Sequence, residues 1–140
     1  NDGQYGNSHS WIPVQLPAAF TIDLGRVQAV NLFKLGRDRL REARDRALDC
    51  LTLETSTDGE TWRTVFSMQG IARLKGYYPI RTMEIHIEPV EARFIKATVD
   101  STQAGAPPAC IDEFEVYASP FTRFPKEELP KTVFVSAARP

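Results

Sequence analysis

Short stretches in which apolar and polar residues alternate dominate this chain. Ala19-Phe20-Thr21-Ile22-Asp23-Leu24 sets Phe, Ile and Leu on one face against Ala, Thr and Asp on the other, and Gly25 ends the run. A period of two is the mark of a half-buried strand. A longer run from Val27 to Leu35 carries Val30, Leu32, Phe33 and Leu35 and stops at Gly36. Cys50 to Ser56 alternates again, and Thr57-Asp58-Gly59-Glu60 follows it. An Asp-Gly pair between β-type runs predicts a hairpin, because glycine takes positive φ at no steric cost. Trp62 to Phe66 is then the returning strand, and Met83–Ile87, Arg93–Asp100 and Ile111–Ala118 read as further strands. About seven strands joined by polar turns predict an all-β fold, two antiparallel sheets packed as a β-sandwich.

Three segments break the pattern. Residues 37–48 are rich in helix formers, with Leu40, Ala43, Ala47 and Leu48 on one side at helical spacing. They form either one short helix or a loop laced by ion pairs. Gln103 to Ala109 is a Gly/Pro loop. Residues 119–140 form a Pro-rich extension to a 1–118 domain, with Thr132-Val133-Phe134-Val135-Ser136 as an extra edge strand.

Composition adds limits. The chain has 140 residues, enough for one domain with a real core, and its hydrophobic and charged fractions of 42% and 25% are ordinary. A formal charge of −1 supplies no general attraction to nucleic acid or anionic membrane. No apolar run approaches the roughly 20 residues that cross a bilayer, and no loop carries the exposed aromatic or leucine spikes that membrane insertion needs. The start at Asn1, without initiator methionine or signal pattern, reads as a piece of a longer or processed protein. Cys50 and Cys110 form either a disulfide, closing a loop of about 60 residues worth roughly 4 kcal/mol, or two free thiols that pack as small hydrophobes. With only His9 and His86 beside them, a zinc site is not expected. No Gly-x-Ser-x-Gly, His-Glu-x-x-His or phosphate-loop motif occurs, so no catalytic residues are assigned.

Four stretches resemble, in order, the discoidin family, also called the coagulation-factor type C domain. They are DGQYGNSHSWI at 2–12, FTIDLGRVQAVNLFKLGRDR at 20–39, LETSTDGETWRTV at 53–65, and EPVEARFIKATV through CIDEFEVYA within 88–118. The resemblance implies a galactose-binding-like jelly-roll sandwich over residues 1–118. It also implies a non-catalytic module of a larger secreted or surface protein: extracellular, periplasmic or on the cell surface. The chain departs from the family in lacking the strand upstream of the Asp-Gly, and residues 132–136 are expected to cover the sheet edge left open.

Many relatives hold a structural Ca²⁺ between the Asp-Gly loop and the last strand. On that resemblance the ligand set here is Asp2, Gln4, Asn7, Ser8 and Ser10 from the first loop, with the Asp112 carbonyl and Glu113 from the last strand. These oxygen donors suit calcium's six to eight positions. The alternative is an Asx-turn at Asp2 with Glu113 capping loose amides.

The expected ligand is a glycan. Sugar sites join an aromatic platform to planar polar groups. Here His9, Arg37, Asp38, Arg39 and Arg46 would converge at one end of the sandwich, with Tyr77 and Tyr78 as the platform. The loop GRDRLREARDR at 36–46 is similar in charge and position to the ligand loop of fucose-binding lectins. It lacks their paired cysteines and their spacing, so sugar identity does not carry over. Its arginines favour an acidic or sulfated sugar; equally, Asp38, Glu42 and Asp45 can satisfy them within the loop. Trp11 and Trp62 are assigned to the core, and His86 to a solvent-facing strand position. The competing reading is a protein–protein or structural module that packs against other domains of its parent.

Overall fold

The computed structural model describes residues 9–36, 48–70, 82–102 and 109–118. These form five antiparallel strands: β1 (Ala18–Gly36), β2 (Leu48–Ser56), β3 (Arg63–Met68), β4 (Thr82–Thr102) and β5 (Glu113–Tyr117). They hydrogen-bond in the order β3-β2-β4-β1-β5.

The two long strands correct the strand count. Gly25 does not end a strand: β1 runs through it with φ of 79°, and the register slips between Asp23 and Gln28. On the partner strand only Phe94 to Ala92 is covered over that stretch, so Gly25, Arg26 and Val27 bulge outward and are exposed. A second slip, between Val30 and Leu32, absorbs Pro89 of β4. A residue without an N–H is tolerated inside a sheet at such a bulge. The expected strands at 19–24 and 27–35, and at 83–87 and 93–100, are therefore halves of β1 and β4.

The bulges divide the sheet into two wings. In the first, β3, β2, the second half of β4 and Ala18–Asp23 of β1 lie side by side. In the second, the first half of β4, Leu32–Gly36 of β1 and β5 lie side by side. The inner faces meet: the Phe20 ring of the first wing packs edge-on against Phe114 of the second at 5.3 Å. One buried cluster unites Leu51, Leu53, Phe66, Ile95 and Val99 with Phe33, Leu35, Ile85 and Phe114. Burial of each large side chain contributes about 1.5–3 kcal/mol, which makes this shared core the main source of stability. The fold is an all-β antiparallel sandwich.

Both outer faces carry paired charges. On the first, Lys96 Nζ lies 2.7 Å from Glu54 and 4.4 Å from the centre of the Trp62 ring. Trp62 is thus outside the core, contrary to expectation, because the turn sets it over the polar face, where a lysine satisfies its π-surface. Trp11 does pack against the core. On the second outer face Lys34 bridges to Glu84 at 2.8 Å, and His86 lies 3.6 Å from the same carboxylate. The Lys34 bond holds the Glu84 carboxyl below its ordinary range, and the Glu84 bond raises the Lys34 ammonium above its own. Cys50 and Cys110 are not joined in a disulfide, so the disulfide reading is set aside.

One side of the sandwich is open among the described residues. Among the described residues Ala18–Asp23 pair on one side only, with β4, and β5 is the edge strand of the second wing. Between these edges lies a cleft of about 430 Å³ walled by Trp11, Phe20, Ile22, Leu24, Phe114 and Val116, with His9, Asp112 and Glu113 among its lining.

Candidate ligand and metal site

The last strand is anchored at its start by two distant pieces of chain, Ser10–Trp11 and Gly36. The Trp11 N–H donates to the Ile111 carbonyl at 2.9 Å and the Trp11 carbonyl accepts from the Ile111 N–H at 3.2 Å, a single antiparallel bridge. Asp112 N–H donates to the Gly36 carbonyl at 2.9 Å. The Asp112 carboxylate, buried, accepts from Ser10 Oγ at 2.6 Å and from Cys110 Sγ at 3.4 Å, both on Oδ1. Ser10 and Asp112 are 102 positions apart.

Register gathers the loop roots at this same end. Gly36 pairs with Thr82 on one side and with Glu113 on the other. Residue 37 leaves from Gly36, residue 81 arrives at Thr82, and the Trp11–Ile111 bridge adjoins Glu113. The loops that contain Arg37, Asp38, Arg39 and Arg46, and Tyr77 and Tyr78, therefore each have one root here. Those six residues lie outside the described residues, as do Asp2, Gln4, Asn7 and Ser8. Four expected site residues are described, and the fold brings them together: His9 is exposed at the cleft, Ser10 is bonded to Asp112, and Asp112 and Glu113 are 6% and 3% exposed.

The donor chemistry fits an oxygen-seeking cation. Two consecutive carboxylates this deeply buried are costly without cations or strong donors beside them. The donors present are carboxylate and hydroxyl oxygens, suited to calcium and not to a soft metal. Among the described residues no group of three or more His, Cys, Asp or Glu could hold a metal by itself. A calcium cage here would need first-loop oxygens to complete Glu113 and the Asp112 carbonyl. The Asp112 carboxylate is already engaged by Ser10 and Cys110, which leaves it a structural knot.

Sequence reasoning missed that knot and the cleft. Both depend on pairings across about a hundred residues, and no local spacing announces them.

Fold and site thus define an antiparallel β-sandwich in which the strand ends at Gly36 and Thr82 and the Trp11–Ile111 bridge lie beside the start of the last strand. The F5/8 type C domain model matches residues 1–114, and the chain belongs to that family. No curated protein matches it. Solved structures share the fold. The module CpGH89CBM32-5 of Clostridium perfringens, in complex with GalNAc-β-1,3-galactose, is 20% identical with a TM-score of 0.59, over 74% of this chain and 67% of that one. The family 32 carbohydrate-binding module of Streptococcus pneumoniae EndoD is 14% identical with a TM-score of 0.62, over 79% and 75%. Chitosan-binding module 2 of a Paenibacillus sp. IK-5 chitosanase/glucanase, in complex with chitotriose, is 21% identical with a TM-score of 0.59, over 78% and 77%.

Proposed function

We propose that this chain is a non-catalytic carbohydrate-binding module that attaches a larger secreted or surface protein to a glycan. The observation that carries the reading is the pairing of Gly36 with both Thr82 and Glu113, which roots the arginine loop, the tyrosine loop and the Trp11 bridge at one end. A glycan site needs such convergence, because affinity for hydroxyl-rich ligands comes from several polar groups and one aromatic face acting together. Modules of the same fold were solved with GalNAc-β-1,3-galactose and with chitotriose, and another is described as pectin-binding, which supports a sugar ligand as a class. In this reading Arg37, Arg39 and Arg46 grip hydroxyl or acidic groups, Asp38 and His9 accept and donate beside them, and Tyr77 and Tyr78 stack on the ring. Calcium, held by Glu113, the Asp112 carbonyl and first-loop oxygens, would fix that loop without entering any chemistry.

A glycan array with the isolated chain tests this. Binding to a defined set of sugars is expected, and Arg37→Ala and Arg39→Ala should each weaken it about tenfold or more, the worth of a charge-assisted hydrogen bond. A uniformly blank array, with stable docking onto neighbouring domains of the parent, would replace the reading with a structural module.

A further inference from the structure

Trp11 and Ile111 exchange both of their backbone bonds, so they are a hydrogen-bonded antiparallel pair. The next position along, Ser10 facing Asp112, is of the other kind, where opposed Cα atoms approach to about 4.5 Å and side chains lie close. A serine there reaches a carboxylate directly, and its hydroxyl donates to Asp112 Oδ1 at 2.6 Å. One further step of the same register brings His9 to Glu113. Side chains alternate across such a ribbon, which returns these two to the face of Trp11 and Ile111, and all four line the cleft.

The Ser10–Asp112 bond has the length of a charge-assisted O–H···O bond, about twice as strong as a neutral one. Its acceptor is held independently of Ser10. The Asp112 amide donates to the Gly36 carbonyl of β1, and Cys110 Sγ lies 3.4 Å from the same Oδ1. The carboxylate thus belongs to the sheet, whereas Ser10 lies outside any strand. We propose that Asp112 is a positioning residue of the candidate site: its carboxylate latches Ser10 and, through it, holds His9 beside Glu113. The nature of the ligand rests on the carbohydrate-binding reading; the Asp112 side chain itself meets neither sugar nor ion. Without the latch only the fraction of molecules with His9 in place is competent to bind, and the apparent Kd rises by the inverse of that fraction. A hydrogen bond to a charged group is worth roughly a factor of ten, which sets the size of the effect.

Isothermal titration of the full chain with the sugar that binds best on the glycan array reads the latch. Ser10→Ala and Asp112→Ala should each weaken binding about tenfold, and the double variant no further than the weaker-binding single one. Ser10→Thr, which keeps the hydroxyl, should bind as the unaltered chain does. Urea midpoints measured beside each titration establish that the variants are folded in the assay. If Asp112→Ala does not fold, Asp112→Asn takes its place with a smaller loss, since it keeps the acceptor oxygen and removes the charge. Full affinity in the folded Ser10 and Asp112 variants makes the bond merely structural and overturns the proposal. A loss confined to Ser10→Ala assigns that hydroxyl to ion binding and overturns it too. If the unaltered chain binds no sugar, the carbohydrate reading fails by itself and hydrogen exchange decides the latch. The Trp11 and Ile111 amides should then exchange about tenfold faster in Ser10→Ala, with the β2–β3 hairpin unchanged, and equal rates overturn the proposal.

Discussion

Asp23 shows how much a single exposed carboxylate can depend on remote pairing. Arg93 grips it with two parallel bonds of 2.9 Å each, and the Gly25 amide donates to it at 2.8 Å. The Arg93 bond chiefly, and then the Gly25 amide, hold its carboxyl down from 3.8 to about 2. In the unfolded chain Asp23 binds a proton at higher pH than in the folded one. Its contribution is therefore complete above 3.8 and lost as pH falls toward about 2. Urea unfolding across that range should show stability falling with pH, and Asp23→Asn should flatten the fall, as Asp58 retains part of it. Asp58 is also held low, by the amides of Thr61 and Glu60 and the Ser56 hydroxyl. The two differ in legibility. Asp58 acts on neighbours within three residues, so Ser-x-Asp-Gly reveals its role in the sequence. Asp23 and Arg93 are 70 positions apart, and only the register of β1 against β4 joins them.

The elements follow the same division between local and distant causes. The β2–β3 hairpin is where local chemistry is decisive: Gly59 adopts φ of 82°, and a Cβ there would sit 3.3 Å from Phe94 Cε2. Gly59→Ala should cost about 1–2 kcal/mol from the backbone alone, read as a lower urea midpoint with unchanged slope. Alternation located most strand residues, because inward side chains such as Leu51 and Leu53, or Ile95, Ala97 and Val99, recur at a period of two. It did not show that β1 and β4 are continuous. Gly25 and Pro89 are ordinary strand terminators in isolation, and become bulge residues only when a partner keeps bonding on either side of them. Trp62 was misassigned for a similar reason: its neighbour Lys96 lies on another strand.

For the whole molecule, the meeting of the first loop with the start of the last strand was legible through family motifs: the described residues His9, Ser10, Asp112 and Glu113 do come together. The detail that Asp112 is spent on Ser10 and Cys110 was not, since it requires the tertiary fold. If a calcium ion completes this end, then adding EDTA should lower the melting temperature. At calcium a hundredfold above its Kd the loss would be about 2.7 kcal/mol, and Glu113→Gln should abolish the difference between the two conditions. An unshifted transition in EDTA would remove the ion from the account.

The bridge between Trp11 and Ile111 carries a kinetic meaning of its own. With the Ser10–Asp112 bond beside it, it closes a loop of about a hundred residues for one pair of backbone bonds and one side-chain bond. Such closure has a large entropic cost that few local contacts offset, so it belongs to the final stage of folding, after β2, β3 and β4 have zipped. The same arithmetic run backwards makes this end the first to open in native-state fluctuations. The domain thus builds its scaffold first and this end last, and a mild destabilisation anywhere in the sandwich would open this end before it unfolds the protein.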